Sequence, residues 1–295
     1  MIIKNTEIED TFAEAFTMTA ARLIVTAANT RWAKVAATTA TGYATSVIGC
    51  DAEAGIEKEI APVDSPDGRP GYSLLFFAFS RDALEKALVN RIGQCVLTCP
   101  TTACFNGLSI DPTRALRIGG NLRFFGDGWQ ISKKIEEKRY WRIPVMDGEF
   151  VCEDRFGTVK GVAGGNFLIL GKSQLATLQA AEKAIEAIQH LTDAITPFPG
   201  GLVRSGSKIG SRYKKLRAST NDAYCPTLKG QVKTVLPTNV SCVYEIVIDG
   251  TSLLSVEDAM RVGIRAACGT EIVRISAGNY EGKLGAYKIF LRSLF

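Results

Sequence analysis

The order of secondary-structure patterns along this chain constrains its fold more than any other feature of the sequence. Alternating apolar residues predict β-strands, and apolar residues spaced three and four apart predict helices. In the first half the order strand, helix, strand occurs twice, at residues 22–27, 29–40, 43–50, 72–79, 81–92 and 94–99. Repeated β-α-β units of this kind indicate a ferredoxin-like lobe.

The second half repeats this order. Its strand patterns lie at residues 161–170, 200–206, 242–248, 271–276 and 286–291, and its helices at 173–190 and from Ser255, with Asp258 as a capping-box variant. Residues 117–156 alternate around turns and predict bridging hairpins. We therefore predict an α+β fold of two ferredoxin-like (split β-α-β) lobes, with antiparallel sheets flanked by helices. The N-terminal lobe, with the hairpins, spans residues 1–148 and the C-terminal lobe residues 149–295.

Composition excludes several classes of protein. The chain is 46% hydrophobic and 22% charged, an ordinary globular balance. Its longest apolar runs, such as residues 72–79, have the length of a strand and are too short to span a membrane. The N-terminal "MIIKNTEIED" lacks the basic start and apolar stretch of a signal peptide. We expect a cytoplasmic protein without a membrane partner.

Cysteine and histidine usage narrows the chemistry. The eight cysteines include no C-x-x-C pair, so we expect free thiols in a reducing compartment and no zinc site. The single histidine, His190, falls at the end of a predicted helix, which excludes histidine-clustered metal sites and disfavours a Ser-His-Asp triad. Any proton transfer then rests on carboxylates, Lys, Tyr or Cys.

One carboxylate stands in an unusual place. In "SCVYEIVIDG" (241–250), alternation puts Glu245 on one strand face with Val243 and Val247, among mainly apolar neighbours. Burying an unpaired carboxylate costs several kcal/mol, so the group must be paired, protonated or facing a cleft. A strand edge or a subunit contact would explain it without catalysis.

Four glycine-rich turns lie in the same half as Glu245. They are "AGGNF" (163–167), "PFPGG" (197–201), "STNDAYCP" (219–226) and "SAGNYEGKLG" (276–285). Glycine lets backbone approach a ligand, although plain turn chemistry explains any one of them. Together they predict a surface for a large polar ligand, with candidate substrate-binding residues Gly164, Gly165, Asn166, Phe198, Gly200, Gly201, Asn221, Asp222, Tyr224, Ser276, Asn279, Gly282 and Lys283.

Basic residues concentrate in "RSGSKIGSRYKKLR" (204–217), within a net charge of +5. This stretch could be a nucleic-acid patch, a grip for a polyanionic ligand or a solvated hairpin. No strand interleaves basic and aromatic residues as RNA-binding ferredoxin-like sheets do, so we do not expect a nucleic-acid partner. "GLVRSGSK" (201–208) resembles a P-loop, but its Lys and Ser are in the wrong order.

The chain as a whole resembles the formylmethanofuran:tetrahydromethanopterin formyltransferase family. Nine segments carry the resemblance from end to end: "EIEDTFAEAF" (7–16), "DGRPG" (67–71), "RIGQCVLT" (91–98), "FFGDG" (124–128), "GVAGGNF" (161–167), "PFPGG", "STNDAYCP", "VYEIVI" (243–248) and "ISAGNYEGKLG" (275–285).

This resemblance implies an acyltransferase of one-carbon metabolism. It would move a formyl group between methanofuran and N5 of tetrahydromethanopterin, with both coenzymes as substrates and no metal. It also implies a homotetramer built as a dimer of dimers, with the site near a subunit interface. In that family the strand glutamate of "VYEIVI" is the leading catalytic candidate, and it corresponds to Glu245 here.

The basic charge differs from the acidic members of methanogens. It indicates a bacterial, methylotroph-type member that resembles a subunit of a formyltransferase/hydrolase complex, where formyl passes from the pterin to methanofuran. The basic stretch would then meet a glutamyl-rich methanofuran tail or an acidic partner subunit, or remain a solvated hairpin. The alternative function is a non-catalytic assembly subunit of a larger one-carbon complex.

The same resemblance suggests a mechanism with a carboxylate proton shuttle. We expect Glu245 to be semi-buried, to face a cleft and to have a raised pKa, so that it exchanges a proton with the reacting amine. The oxyanion of the tetrahedral intermediate would be stabilised by backbone N–H groups or by the side chain of Asn166, Asn221 or Asn279.

Overall fold

A computed structural model describes every residue from Met1 to Phe295. It contains sixteen strands: β1 Ile2–Ile3, β2 Thr6–Ile8, β3 Phe12–Thr26, β4 Glu53–Ile60, β5 Gly71–Ala78, β6 Ala103–Asn106, β7 Ile131–Ile135, β8 Lys138–Val145, β9 Gly148–Glu153, β10 Val159–Gly171, β11 Ala194–Ile195, β12 Lys208–Ile209, β13 Ala218–Ser219, β14 Cys242–Gly250, β15 Ile272–Ser276 and β16 Tyr287–Phe290. The helices are α1 Thr30–Thr41, α2 Arg81–Arg91, α3 Ile118–Leu122, α4 Gln174–Gln189 and α5 Leu253–Ala267.

Fourteen strands form one large sheet, and β12 and β13 pair separately. Pairing is antiparallel except between β2 and β15 and between β6 and β9. The two longest strands, β3 and β10, lie side by side at its centre. The predicted α+β class, with antiparallel strands flanked by helices, is confirmed.

Two main hydrophobic cores lie along this sheet, and β3 contributes to both. Ala21, Leu23 and Val25 belong to a first core with α1 and α2, whereas Ala13 and Ala15 belong to a second core with α4 and α5. Ile246 and Ile248 of β14 are fully buried in the second core. The strand that carries Glu245 therefore has one face covered by helices, and the opposite face is left for other segments.

The helices begin where the sequence provides a capping side chain. Asn29, Ser80, Ser173 and Ser252 each accept a hydrogen bond from the backbone N–H three residues later. The prediction that α5 opens at Ser255 with Asp258 was wrong, because the capping box pairs Ser252 with Ser255. His190 is the C-cap residue of α4, as predicted.

Three predicted strands are not strands. Residues 43–50 form turns, and the Arg91 guanidinium holds the start of this segment through the carbonyls of Ala40, Gly42 and Tyr43. Residues 94–99 extend α2 through a π-helical turn, Ile92–Val96. Within residues 200–206, a 3₁₀ turn at Pro199–Gly201 leads into one isolated bridge.

Strand β4 was missed because carboxylates interrupt its apolar pattern. Its Glu57 is buried. The guanidinium of Arg22, on β3, donates hydrogen bonds of 2.7 and 2.8 Å to the Glu57 carboxylate. The predicted bridging hairpins are present as β7, β8 and β9, but α3 precedes them. No helix of the structure is long and apolar enough to cross a membrane.

Candidate active site

Glu245 lies in the middle of β14, on the face that points away from α4 and α5. Alternation along the strand puts Ile246 into the second core and Glu245 on the other side. In the antiparallel pairing with β10, Glu245 stands directly opposite Leu168, so the two side chains share this face. The Glu245 residue is partly buried, as predicted.

A short row of side chains continues from Glu245 across three strands. Leu168 on β10 is in turn directly opposite Ser276 on β15. The Tyr224 hydroxyl is 3.2 Å from the Ser276 hydroxyl, and the Tyr224 ring packs on the small apolar cluster that contains Leu168. Tyr224 therefore forms one side of a cleft that has Glu245 and Leu168 in its floor.

The outer edge of β14 at Glu245 is paired with Val203. The Val203 N–H donates to the Glu245 carbonyl at 2.8 Å, and the Glu245 N–H donates to the Val203 carbonyl at 3.0 Å. The turn before Val203 contains Gly200 at φ 61° and Gly201 at φ 82°, left-handed conformations that favour glycine. The "PFPGG" segment thus delivers a backbone bridge that fixes the Glu245 strand on both sides.

A second side of the cleft is built by the loop of residues 277–286. Asn166 lies two residues before Leu168, on the same face of β10. Its amide oxygen accepts from the Gly278 N–H at 2.6 Å, and its amide nitrogen donates to the Gly278 carbonyl at 3.1 Å. Two residues further, the Tyr280 ring packs against Phe16 with centroids 6.4 Å apart. Tyr280 therefore lies over the neighbouring strand β3, and its hydroxyl makes no hydrogen bond within the chain.

The Glu245 carboxyl has no hydrogen-bond or ion-pair partner in the protein, yet its oxygens keep contact with solvent. Burial raises its pKa from an ordinary value of 4.5 to about 7. Burial also raises the pKa of Tyr280, and the charge of Glu245 raises it further. The pKa of Tyr224 is raised by burial, with a smaller contribution from Glu245. Both phenols therefore lie within electrostatic reach of this carboxyl.

A neutral side chain at position 245 is expected to stabilise the fold above neutral pH. Because the folded-state pKa of Glu245 is raised to about 7, its contribution to stability is fully present below the ordinary value and is lost as pH rises through about 7. We expect Glu245→Gln to raise the free energy of unfolding at about pH 8 by about 2 kcal/mol, and by much less at about pH 4.5. Urea denaturation at both pH values measures this difference, and an equal gain at both would contradict it.

The structure brings some predicted site residues together and gives others separate contacts. Glu245, Tyr224, Ser276 and Asn166 meet at the cleft. Gly165 faces α5 instead, since a Cβ there would lie 2.2 Å from a Val256 methyl. Phe198 accepts a 2.7 Å hydrogen bond from Gly201 within the turn that leads to Val203.

The remaining candidates are engaged within their own segments. Asp222 forms a 2.7 Å ion pair with Lys208. Lys283 is exposed and pairs with Glu281. Gly164, at φ 85°, donates its N–H to Asp249 at 2.9 Å, and Gly282, at φ 71°, donates its N–H to Glu14 at 2.9 Å.

Among the three asparagines considered as oxyanion donors, only one has a free amide. Both N–H groups of the Asn166 amide are used, by the carbonyls of Gly164 and Gly278. The Asn279 amide binds Thr11 and the Phe12 carbonyl. The Asn221 side chain makes no hydrogen bond within the chain, so its amide is available to a ligand.

Tyr280, Phe16, Val203 and Glu14 were not singled out from the sequence. One signal was available for Glu14, which stands inside the apolar run "FAEAF" as Glu245 stands inside its own strand. Tyr280 and Val203 carry no such signal, because their place depends on how distant segments meet. A second buried carboxyl on the Glu245 face, Asp249, lies against Glu53, and burial followed by the charge of Glu53 raises its pKa.

The basic stretch forms an exposed hairpin through β12 and β13. Its basic side chains Arg204, Arg212, Lys214, Lys215 and Arg217 are exposed and make no ion pair. A cavity of about 520 Å³ beside α2 and α3 contains none of the cleft residues. No group of three or more His, Cys, Asp or Glu is arranged to hold a metal ion.

Comparison with known proteins gives full-length matches. A family model described as "Formylmethanofuran-tetrahydromethanopterin formyltransferase" matches residues 1–145, and one described as "FTR, proximal lobe" matches residues 148–294. The formylmethanofuran–tetrahydromethanopterin formyltransferase of Methylococcus capsulatus is 58% identical, covering 100% of this chain and 99% of the relative.

Two solved structures are similar throughout. That of formylmethanofuran:tetrahydromethanopterin formyltransferase from Methanosarcina barkeri has a TM-score of 0.95 at 50% identity and covers 100% of both chains. A chain of the formyltransferase/hydrolase complex of Methylorubrum extorquens, solved with methylofuran, has a TM-score of 0.95 at 49% identity, covering 99% of this chain and 98% of that one.

Proposed function

The chain belongs to the formylmethanofuran-tetrahydromethanopterin formyltransferase family, and from this premise we propose that Glu245 carries the proton exchanged in its reaction. The protein is an N-formyltransferase, an acyltransferase whose substrates are methanofuran and tetrahydromethanopterin. The observation that supports Glu245 is its carboxyl without a protein partner, open to a cleft, with a pKa of about 7.

Formyl transfer between two nitrogens requires proton movement in both directions. The acceptor amine attacks the formyl carbon, the carbonyl opens to an oxyanion, and the bond to the donor nitrogen breaks as that nitrogen gains a proton. A carboxyl with a pKa of about 7 is present in both protonation states near neutral pH. Glu245 gives its proton to the departing nitrogen and receives one from the attacking amine, so no net proton is consumed.

The oxyanion needs a hydrogen-bond donor that the protein does not already use. The amides of Asn166 and Asn279 are occupied by backbone contacts, which leaves Asn221 as the asparagine that can turn to a substrate oxygen. Asn221 lies three residues before Tyr224, on the segment that covers the floor of the cleft. We assign the oxyanion contact to Asn221, and Asn166 to holding the loop at Gly278.

The alternative function, a non-catalytic assembly subunit, is favoured by the similarity to a chain of the formyltransferase/hydrolase complex. The two functions differ in what the isolated chain does. We expect the purified chain to transfer formyl when both coenzymes are supplied and to give no signal when either one is omitted. Absence of transfer by the chain alone, with transfer restored by added hydrolase-complex subunits, would favour the assembly role.

The basic hairpin is the surface we assign to an acidic partner, either the subunits of a hydrolase complex or a glutamyl-rich coenzyme tail. Its five exposed cations at Arg204, Arg212, Lys214, Lys215 and Arg217 have no partner in the chain. Attraction between such charges and an acidic surface weakens as salt rises. Reversing Lys214 and Lys215 to Glu should raise the KM for a polyglutamyl methanofuran while leaving that for the pterin unchanged, if the coenzyme tail is the partner.

A homo-oligomer, with a dimer of dimers as its final form, is the assembly we propose. Four large apolar side chains within eight residues are exposed, namely Phe124, Phe125, Trp129 and Ile131, at 65%, 66%, 78% and 57%. We infer that these side chains form one patch, and a contiguous exposed apolar patch marks an association surface. Sedimentation of Trp129→Glu against the wild-type chain tests whether it joins copies. The eight free cysteines support a reducing compartment, and we place the protein in the cytoplasm.

A further inference from the structure

Glu14 is a buried carboxylate that the reaction described above does not use. It stands in β3 between Ala13 and Ala15, and only 1% of its surface is exposed. Lys288 is directly opposite on β16, but it forms no ion pair with Glu14 and its ammonium lies 5.6 Å from the Phe12 ring centre. Because an unpaired buried carboxylate is costly, the group that compensates the charge of Glu14 must come from elsewhere.

Four backbone N–H groups of one loop supply that compensation. Tyr280 and Gly282 donate to Oε2 of Glu14 at 2.7 and 2.9 Å, and Leu284 and Gly285 donate to Oε1. Glu281 at φ 60° and Gly282 at φ 71° take left-handed conformations, which turn successive N–H groups to one side. Although burial alone would raise the pKa of Glu14, these hydrogen bonds lower it, so the group remains charged.

The loop is held at three points, and Tyr280 belongs to the last of them. Asn166 binds both backbone groups of Gly278, the Asn279 amide donates to the Phe12 carbonyl, and Glu14 binds residues 280–285. The Tyr280 ring is thereby placed on Phe16, within electrostatic reach of Glu245. The Asn166 and Asn279 contacts hold the loop only as far as residue 279, whereas Glu14 binds the N–H of Tyr280 itself and those beyond it, so the position of Tyr280 depends on Glu14.

We propose that Glu14 is a positioning residue for formyl transfer, whose buried carboxylate holds the 280–285 loop so that Tyr280 closes one side of the cleft over Glu245. This rests on the proposed role of Glu245. In Glu14→Gln an amide of equal size replaces the carboxylate. Its NH₂ group then faces two backbone N–H donors, and it cannot accept a hydrogen bond from either. The loop then exchanges its internal hydrogen bonds for water, and Tyr280 leaves the cleft.

Hydrogen exchange and kinetics of Glu14→Gln test the two steps of this inference. The amides of residues 280–285 should exchange about tenfold faster or more than in the wild type. The value of kcat/KM should fall by about tenfold to a hundredfold, since misplacing a group that lines the site disturbs the reacting geometry. The midpoint of the kcat pH profile should move down from about 7, because water reaches Glu245.

Glu85→Gln is the matched control. The Glu85 carboxylate also accepts hydrogen bonds, from the Arg117 backbone N–H at 3.2 Å and from the Asn121 side-chain amide at 3.0 Å. These contacts lie beside α2 and α3, away from the cleft. We expect this variant to keep the wild-type kcat, pH midpoint and loop exchange. A purely structural role for Glu14 would lower the melting temperature without moving the pH midpoint.

Tyr280→Ala separates the effect of the Tyr280 ring from that of the loop contacts, since it removes none of the side chains that hold the loop. It should move the pH midpoint in the same direction, and the double variant with Glu14→Gln should add no further shift. The inference is overturned if loop exchange is unchanged in Glu14→Gln, if exchange rises with kinetics equal to the Glu85→Gln control, or if the two shifts add. Where Glu14→Gln does not fold, an unshifted midpoint in Tyr280→Ala overturns it. Inactivity of the wild-type chain would instead refute the proposed function itself.

Discussion

Replacing Glu245 by Gln is expected to lower kcat by about a hundredfold to ten-thousandfold, the usual contribution of a positioned general acid and base. Gln has nearly the same size and leaves the Val203 bridge intact, because that bridge uses only the backbone of residue 245. It cannot carry a proton between two nitrogens. The KM values should change little, because Glu245 acts on the proton that is transferred and contributes little to the binding of either coenzyme. Initial rates with both coenzymes varied provide the measurement.

The pH dependence of kcat distinguishes a loss of proton transfer from a structural change in the site. Wild-type kcat should change with a midpoint near 7, the pKa of Glu245, and this dependence should be absent from the residual activity of Glu245→Gln. Glu153→Gln is the matched control, because burial also raises the pKa of Glu153 and it lies on β9, outside the cleft. Should Glu245→Gln keep near wild-type turnover in a folded, correctly assembled protein, the proton-shuttle role is wrong.

Glu245 could be found from the sequence because its signal is local. Two neighbours on each side define which face it occupies, and alternation alone makes that face apolar. Glu14 has the same local signal, but the groups that bind it lie 266 to 271 residues further along the chain. Neither the loop nor its N–H groups can be associated with β3 until the sheet pairs β16, which follows the loop, with β3. Local patterns thus identify the carboxylate that lacks a partner and miss the one that has four.

The three wrong strands have the same kind of cause. Residues 43–50 have the composition of a strand, yet the turn that enters them is held by Arg91, more than forty positions away, which binds the carbonyls of Ala40, Gly42 and Tyr43. The role of the glycines in the predicted site was ambiguous in the sequence for a related reason. A close approach by a helix, as at Gly165 against Val256, and an approach by a ligand require the same missing Cβ. The order of elements survived these errors because most helices and long strands have strong periodicity of their own.

Removing the charge of Arg22 is expected to cost about 3 to 5 kcal/mol of stability, because it leaves a buried carboxylate without its counter-ion. Arg22 binds Glu57 through two hydrogen bonds of 2.7 and 2.8 Å and Asp193 through one of 2.6 Å, and the Glu57 side chain is only 1% exposed. These contacts join β3 and β4 to the segment that leads into β11, which pairs with β14. Arg22→Met keeps the apolar stem of the side chain that packs on Gly107. Urea unfolding of this variant gives the loss directly.

The large cost expected for Arg22→Met comes from the burial of the ion pair and not from its short N–O distance. A second ion pair with an equally short distance shows the difference. Arg142 and Glu149 are also 2.6 Å apart, but their side chains are 43% and 39% exposed, so Arg142→Met should cost less than about 1 kcal/mol. Burial would raise the pKa of Glu57, but hydrogen bonds from Arg22 and Ser73 lower it, so the stabilisation is present above the ordinary glutamate value and is lost as pH falls. The cost of Arg22→Met should therefore shrink toward about pH 5, where the unpaired Glu57 takes up a proton. Combining it with Glu57→Gln should recover most of the loss at neutral pH, whereas equal costs for the Arg22 and Arg142 variants would show that water screens Glu57 as well.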